Sequence, residues 1–260
     1  KELVDDVTER CLKVKLEEGE KRPPSGYFLL FATKLGLIKK TDLHEYVRIN
    51  RNGKYALRFK LENDSLVNVQ QSVDSDDVVM ISTTGYASRF KCDAIRISGR
   101  VSGGVYGIKV AERKGSGGGF VAGMLAMSDY ESQILTISKY GMAKRSRLGT
   151  AERIPDLDKD GNERFDDDGN RKMMTDGYRS TNPGAKGVRT MKLDEEVADE
   201  LVSVRRIPDL NDNLFVLTKK GMMIRLAVDQ TKETSGKSTK GTRIMELSLI
   251  HISEPTRRTT

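Results

Sequence analysis

Tryptophan is absent from this 260-residue chain, and aromatic residues make up only 6% of it. That poverty argues against one thick core built on large rings. A thin core shared among many short strands fits better. Cysteine is nearly absent too: Cys11 and Cys92 have no metal-ligand spacing. A disulfide scaffold or thiolate zinc module is therefore excluded, and the pair reads as reduced thiols of a cytoplasmic protein. No apolar run approaches the ~18 residues of a membrane span. The opening KELVDDVTER has no signal-peptide pattern. We therefore expect a soluble, intracellular protein with no membrane partner. The two histidines, His44 and His251, are isolated, so no hydrolase arrangement is legible. No long stretch carries the 3.6-residue period, so helix should be scarce.

What is plentiful is charge, at 32% of residues, with 45 bases against 38 acids and a net charge of +7. The excess is uneven. Pro155–Asp176 holds eight acids and four bases, which leaves about +11 on the remainder. A basic body with one acidic insertion points to a polyanionic partner, nucleic acid before membrane.

Internal repetition organises the chain. Four segments share one grammar: LLFATKLGLIKK (29–40), VVMISTTGYASRFK (78–91), ILTISKYGMAKRSR (134–147) and LFVLTKKGMMIRL (214–226). They align on Gly36, Gly85, Gly141 and Gly221. Three residues before each glycine lies a hydroxyl: Thr33, Ser82, Ser138, Thr218. Four before lies an apolar side chain: Ala32, Ile81, Ile137, Leu217. Four after lies a base: Lys40, Arg89, Arg145, Arg225. This is a β-hairpin signal, a short apolar strand entering a turn whose glycine can take positive φ.

Each unit has a second half entered through glycine: GKYALRF at Gly53, GVYGIKV at Gly104, GVRTMKL at Gly187 and GTRIMEL at Gly241. Basic loops join the halves. A third apolar stretch follows in three units, at 65–69, 120–125 and 200–204. The anchor glycines are spaced by 49, 56 and 80 residues, so the last interval carries an insertion of about 27 residues in its loop. Four short strands in roughly fifty residues make one propeller-type blade.

These units closely resemble blades of the C-terminal domain of the DNA gyrase A subunit, across about residues 27–247. The resemblance implies an all-β fold, a β-pinwheel or propeller-like disc whose blades exchange strands. About four blades of a larger domain are expected here, at about 27–76, 77–132, 133–212 with an acidic insertion at 151–178, and an incomplete 213–247. Residues 1–26 read as the end of a preceding blade or a linker. The grammar stops at Leu247, and SLIHISEPTRRTT (248–260) reads as a non-native tail.

The function the resemblance implies is sequence-independent binding and wrapping of double-stranded DNA, in support of directional strand passage and supercoiling. It implies a bacterial, nucleoid-associated protein. Its partners would be the breakage-reunion core of the same polypeptide and the gyrase B subunit of an A2B2 enzyme. It also implies that catalysis, with its magnesium and ATP, belongs to other parts of that enzyme, so this chain holds no catalytic residue and no cofactor. The equivalent domain of topoisomerase IV, which binds DNA crossings, and a protein-interaction propeller remain as alternatives. No glutamine-arginine-glycine-rich box of the gyrase kind is present in the sequence.

The residues expected on DNA are the four bases after the glycines, Lys40, Arg89, Arg145 and Arg225, repeated round a rim. Lys39, Lys91, Lys144 and Arg147 would thicken that band, with Arg51, Arg100, Lys186 and Lys240 added from loops. Such a belt holds a bent duplex through its phosphates. The alternative is that these bases are solvated blade edges that deter sheet-to-sheet aggregation. In the insertion, Asp156, Asp158, Asp160 and Gly161, with Asp167 at the twelfth place, match the opening of a calcium loop. A solvated acidic loop is the other reading. The glycines at 103–107 and 117–119 lack any following GK[ST] and read as turns.

Overall fold

The computed structural model describes residues 24–110, 119–158, 160–234 and 239–245. Cys11, residues 1–23 of the segment read as a blade end or linker (1–26), and the 248–260 tail lie outside them. The described residues form short antiparallel strands: β1 (Phe28–Thr33), β2 (Leu37–Asp42), β3 (Leu66–Ser72), β4 (Asp77–Ser82), β5 (Tyr86–Lys91), β6 (Val105–Tyr106), β7 (Val121–Met127) and β8 (Gln133–Ser138). They continue as β9 (Met142–Arg147), β10 (Arg153–Pro155), β11 (Met173–Thr175), β12 (Val188–Arg189), β13 (Leu201–Ile207), β14 (Asn213–Leu217), β15 (Met223–Ala227) and β16 (Thr242–Arg243). One four-residue helix, α1 (His44–Val47), follows β2.

Each repeat glycine sits in a hairpin turn at positive φ: +93° at Gly36, +80° at Gly85, +79° at Gly141 and +85° at Gly221. The hydroxyl column closes these turns. The Thr33, Ser82 and Ser138 oxygens accept the amides of Leu37, Tyr86 and Met142 at 3.2 Å, and Thr218 accepts that of Met222 at 3.0 Å. A side chain thus satisfies an amide that the tight turn leaves unpaired.

Three four-stranded sheets result, ordered β3-β1-β2-β6, β12-β5-β4-β7 and β13-β8-β9-β16, followed by the lone hairpin β14-β15. Blades and sequence units are offset. β6 comes from the second unit but completes the first blade, pairing Tyr106 with Leu37 and Val105 with Ile38. In the same way β12 pairs with β5 and β16 with β9. A Cβ on Gly36, Gly85 or Gly141 would strike the carbonyl of Ile108, Met191 or Met245, because the exchanged segment crosses there. At Gly221 no atom of the described residues lies within 4 Å of that place.

The core lies between blades. Along β4, alternate side chains face opposite neighbours. Val78 and Met80 pack with Leu30, Ala32 and Ile38 of the first blade. Val79 and Ile81 pack with Ile134 and Leu148 of the third. Leu135, Ile137 and Ala143 then meet Leu214 and Val216 of the last hairpin. Both faces of each inner blade are therefore buried, which explains strands such as DVVMIS and QILTIS with no exposed residue.

Candidate nucleic-acid interface

Three of the four bases expected on an open rim are buried, and this corrects the reading of them as surface charges. Relative exposure is 2% for Lys40, 2% for Arg89 and 7% for Arg145. Lys40 pairs with Asp74, and its Nζ also donates to the Cys92 carbonyl at 3.1 Å. Arg89 grips Asp77 through Nε at 3.1 Å and Nη2 at 3.0 Å. Its Nη1 donates at 2.9 Å to the carbonyls of Leu148, Gly149 and Tyr178. Cys92 and Leu148 each stand seven residues after the glycine of the next unit, so these cations bolt one blade to the next. Burial opposes ionisation of Asp77, but hydrogen bonds from Arg89 and Lys91 outweigh it and hold the carboxyl below its ordinary range.

Arg145 occupies the same place in the third blade with Gln133 where Arg89 has Asp77. Its Nε and Nη1, and the Gln133 Oε1, have no hydrogen-bond partner among the described residues. Lys39 and Lys144 are buried as well. Lys39 donates to the carbonyls of Ala56 and Arg100, and Lys144 to that of Thr190 at 2.6 Å. Burial lowers both to a pKa of about 8, with Arg100 adding to the effect at Lys39.

The remaining expected contacts reach the surface. Lys91 and Arg147 are half-buried and paired, Lys91 with Asp77 at 2.9 Å and Arg147 with Asp176 at 2.6 Å. Arg100 pairs with Glu45 at 3.2 Å. Arg51, Lys186, Arg225 and Lys240 are exposed. Lys186 and Lys240 lie just before the exchanged strands β12 and β16, one residue ahead of their entry glycines.

The exchange segments carry a column that the glycine alignment missed. Each runs beside the blade it joins through one parallel bridge: Ile97 to Lys40, Ser180 to Arg89 and Glu233 to Arg145. The residue before each bridge is a base, Arg96, Arg179 and Lys232, and all three are exposed. Arg189 and Arg243 share a second equivalent place on β12 and β16, opposite Tyr86 and Met142, and are exposed too. Arg96 and Lys232 each follow their unit glycine by eleven residues, whereas the insertion displaces Arg179. Allowing for about 27 inserted residues would have aligned it.

The insertion is a hairpin, β10 with β11, that continues into two tandem turns bridged at Leu157–Glu163 and Phe165–Arg171. Asp158 Oδ1 accepts the amides of Asp160 and Asn162, both at 2.9 Å. Asp166 does the same for Asp168 at 3.1 Å and Asn170 at 2.8 Å. These backbone hydrogen bonds, those from Asn162 and Asn170 first, lower both carboxyl pKa values. The calcium-loop expectation is corrected here: Asp156 lies 3.7 Å from Arg164, Asp158 closes the first turn and Asp167 belongs to the second. No group of three potential metal ligands occurs among the described residues. A cleft of about 250 Å³ separates hairpin residues Ile154, Leu157 and Met174 from Lys144, Arg189 and Thr190. The acidic hairpin thus rises beside the exchange segment. No helix among the described residues is long and apolar enough to cross a membrane.

Comparison with known proteins agrees with this architecture. The family model described as "DNA gyrase C-terminal domain, beta-propeller" matches residues 27–72, 76–116, 175–208 and 212–249, more than half of the chain. The DNA gyrase A subunit of Staphylococcus epidermidis is 29% identical over 244 residues, which is 94% of this chain and 23% of that protein. Its Mycoplasma genitalium counterpart is 28% identical over 222 residues, 85% of this chain and 22% of that protein. The chain therefore spans less than a quarter of the length of these relatives. Among solved structures, the C-terminal domain of DNA topoisomerase IV superposes with a TM-score of 0.66 at 16% identity, covering 85% of this chain and 58% of that one. A DNA gyrase A C-terminal domain superposes at 0.63 and 17% identity, covering 91% and 70%. Strand exchange, repeated hairpins and the family match converge on one assignment: the chain belongs to the DNA gyrase C-terminal domain family.

Proposed function

We propose that this chain binds double-stranded DNA without sequence preference, along the exchange segments and not along the buried cation column. The observation that carries this reading is the recurrence of an exposed base, Arg96, Arg179 and Lys232, at one geometric place in three successive blades. Arg189, Arg243, Lys186 and Lys240 extend it on the same segments. Evenly repeated cations suit the phosphates of a bent duplex, and no base-reading helix accompanies them among the described residues. Wrapping costs several kcal/mol of bending, so many phosphate contacts must offset it.

In a longer gyrase-type protein this wrapping would present a second DNA segment in a fixed sense and so support directional supercoiling. Strand cleavage, magnesium and ATP would then belong to the breakage-reunion core and to the gyrase B subunit, in the bacterial cytoplasm beside the nucleoid. The gyrase reading rests on the sequence relatives, since the solved neighbours share only the fold.

The test is a salt titration of duplex binding. With about 6–10 phosphate contacts, affinity should fall by roughly 10³–10⁵ between 50 and 200 mM salt, equally for unrelated sequences. A flat titration, or a strong preference for one duplex, would overturn the proposal.

A further inference from the structure

The three exchange segments are not chemically alike. The second and third enter their strands as KGVR (186–189) and KGTR (240–243), whereas the first reads GGVY (103–106). Gly103 thus holds the place of Lys186 and Lys240, and Tyr106 that of Arg189 and Arg243. Strand pairing bears the match out: Tyr106 pairs with Leu37, Arg189 with Tyr86 and Arg243 with Met142, each the residue after a turn glycine. A side chain at position 103 would be crowded, since its Cβ would lie 2.7 Å from Lys60 Cβ and 3.2 Å from the Arg58 carbonyl oxygen. The first segment therefore presents carbon where the others present charge. Ile97, Val101, Val105 and Tyr106 are 39%, 62%, 50% and 49% exposed. The Tyr106 place is a surface one in every blade: Arg189 and Arg243 are exposed there too, with a preceding blade packed against their own. In the second blade Lys186 and Arg189 lie over the Tyr86 ring at 5.0 and 5.7 Å. The Tyr106 ring has no such cation or ring contact among the described residues. Between the Ile97 bridge and β6 runs a groove of about 540 Å³ whose walls include Lys60, Arg96, Ile97, Gly103 and Val105.

We propose that the first exchange segment takes an unpaired base of DNA, a contact that rests on the DNA reading above and adds a preferred substrate to it. Arg96 continues the phosphate column here. Ile97 beside it bridges Lys40, and Tyr106 pairs with Leu37 three residues along the same strand. A DNA strand held through its backbone at Arg96 would therefore pass an uncovered ring and an apolar groove. Neither attracts a phosphate. Both suit a base that has left its stack, because every base has a π-face and stacking on an aromatic ring asks for no particular sequence. Bases of an intact duplex are already stacked on one another, so the contact forms only where pairing is interrupted. The favoured substrate is a duplex with a short single-stranded gap.

Fluorescence anisotropy of the full chain tests this on two labelled DNAs of one sequence, an intact duplex and the same duplex lacking about four nucleotides of one strand. The wild type should bind the gapped DNA at least about fivefold more tightly, the yield of one stacked base. That advantage should not shrink as salt rises, because stacking releases no counterions. Tyr106→Ala should lower the ratio of the two affinities about fivefold or more, with intact-duplex affinity and salt slope unchanged, and Tyr106→Phe should keep the wild-type ratio. Tyr106 is half exposed, so far-UV circular dichroism of both variants should match wild type. A gap also makes DNA easier to bend, but that gain would survive in Tyr106→Ala. Three results would each overturn the proposal: equal binding of the two DNAs by the wild type, a ratio that Tyr106→Ala leaves unchanged, or a ratio that Tyr106→Phe loses. A chain that binds intact duplex with a steep salt dependence yet ignores the gap loses this inference alone. One that binds neither DNA loses the DNA reading with it.

Discussion

Arg89 and Arg225 carry the same atoms at the same place in the same hairpin, and they do different work. In the second blade Arg89 is enclosed between two sheets, holds Asp77 and caps three carbonyls of the third unit. In the last hairpin Arg225 is exposed, lies over Phe215 at 5.9 Å and, among the described residues, has Asn213 as its polar partner. What separates them is the neighbour, since a blade becomes an interior element only when another packs on each face. The same cation thus serves as an internal bolt in the second blade, where sheets pack on both faces, and as a surface charge in the last hairpin.

Removing each guanidinium should break this comparison most visibly. Arg89→Ala leaves the Asp77 carboxylate with Lys91 as its remaining cationic partner and takes the side-chain donor from three buried carbonyls, and should cost about 3 kcal/mol in urea unfolding. Next comes the turn hydroxyl. Ser82→Ala removes the acceptor for the Tyr86 amide inside a buried hairpin and should cost about 1 kcal/mol. Thr218→Ala, in the exposed hairpin, should cost less, because water replaces the hydroxyl. Equal losses at the two turns would mean that burial does not set the difference.

A pH series sharpens the contrast further. Lys144 has its pKa lowered to about 8 by burial, against roughly 10.4 in an unfolded chain. Between those values the unfolded state binds more protons, so stability should rise with pH across that window and be flat below it for this group. Lys144→Met should lack that rise when wild-type and variant melting temperatures are subtracted. A parallel pair of curves would place Lys144 in water. The smallest effect is expected for Arg225→Ala, within about 0.5 kcal/mol of wild type. A loss near that of Arg89→Ala would show that the outer face is covered.

Much of the fold was legible because turns are local. The glycine and hydroxyl columns report a positive φ and an amide acceptor, both decided within five residues, and the hairpins lie where those columns put them. The acidic insertion was equally visible as a solvated acidic loop, though its two Asp-Gly-Asn turns also fit the opening of one calcium loop, because ligand spacing alone does not reveal where the backbone reverses. The cation column misled for a different reason. Alternation in a half-buried strand marks an outer face, but a stacked blade has no outer face. Lys39, Lys40, Arg89, Lys144 and Arg145 then look like solvated edges although all five are buried, and Lys40, Arg89 and Lys144 reach across to a neighbouring blade. The Arg96, Arg179 and Lys232 column was hidden because the insertion shifts one member out of register and because its meaning depends on strand exchange.

The central claim is that DNA follows the exchange segments. The direct test is the salt dependence of duplex binding by the R96A/R179A/K232A variant, with circular dichroism confirming its fold. If each base meets one phosphate, the slope of log affinity against log salt should shrink by up to about 2.7, uniformly across sequences, whereas Arg225→Ala should lower it by at most about 0.9. A triple variant with the wild-type slope and affinity would contradict the account.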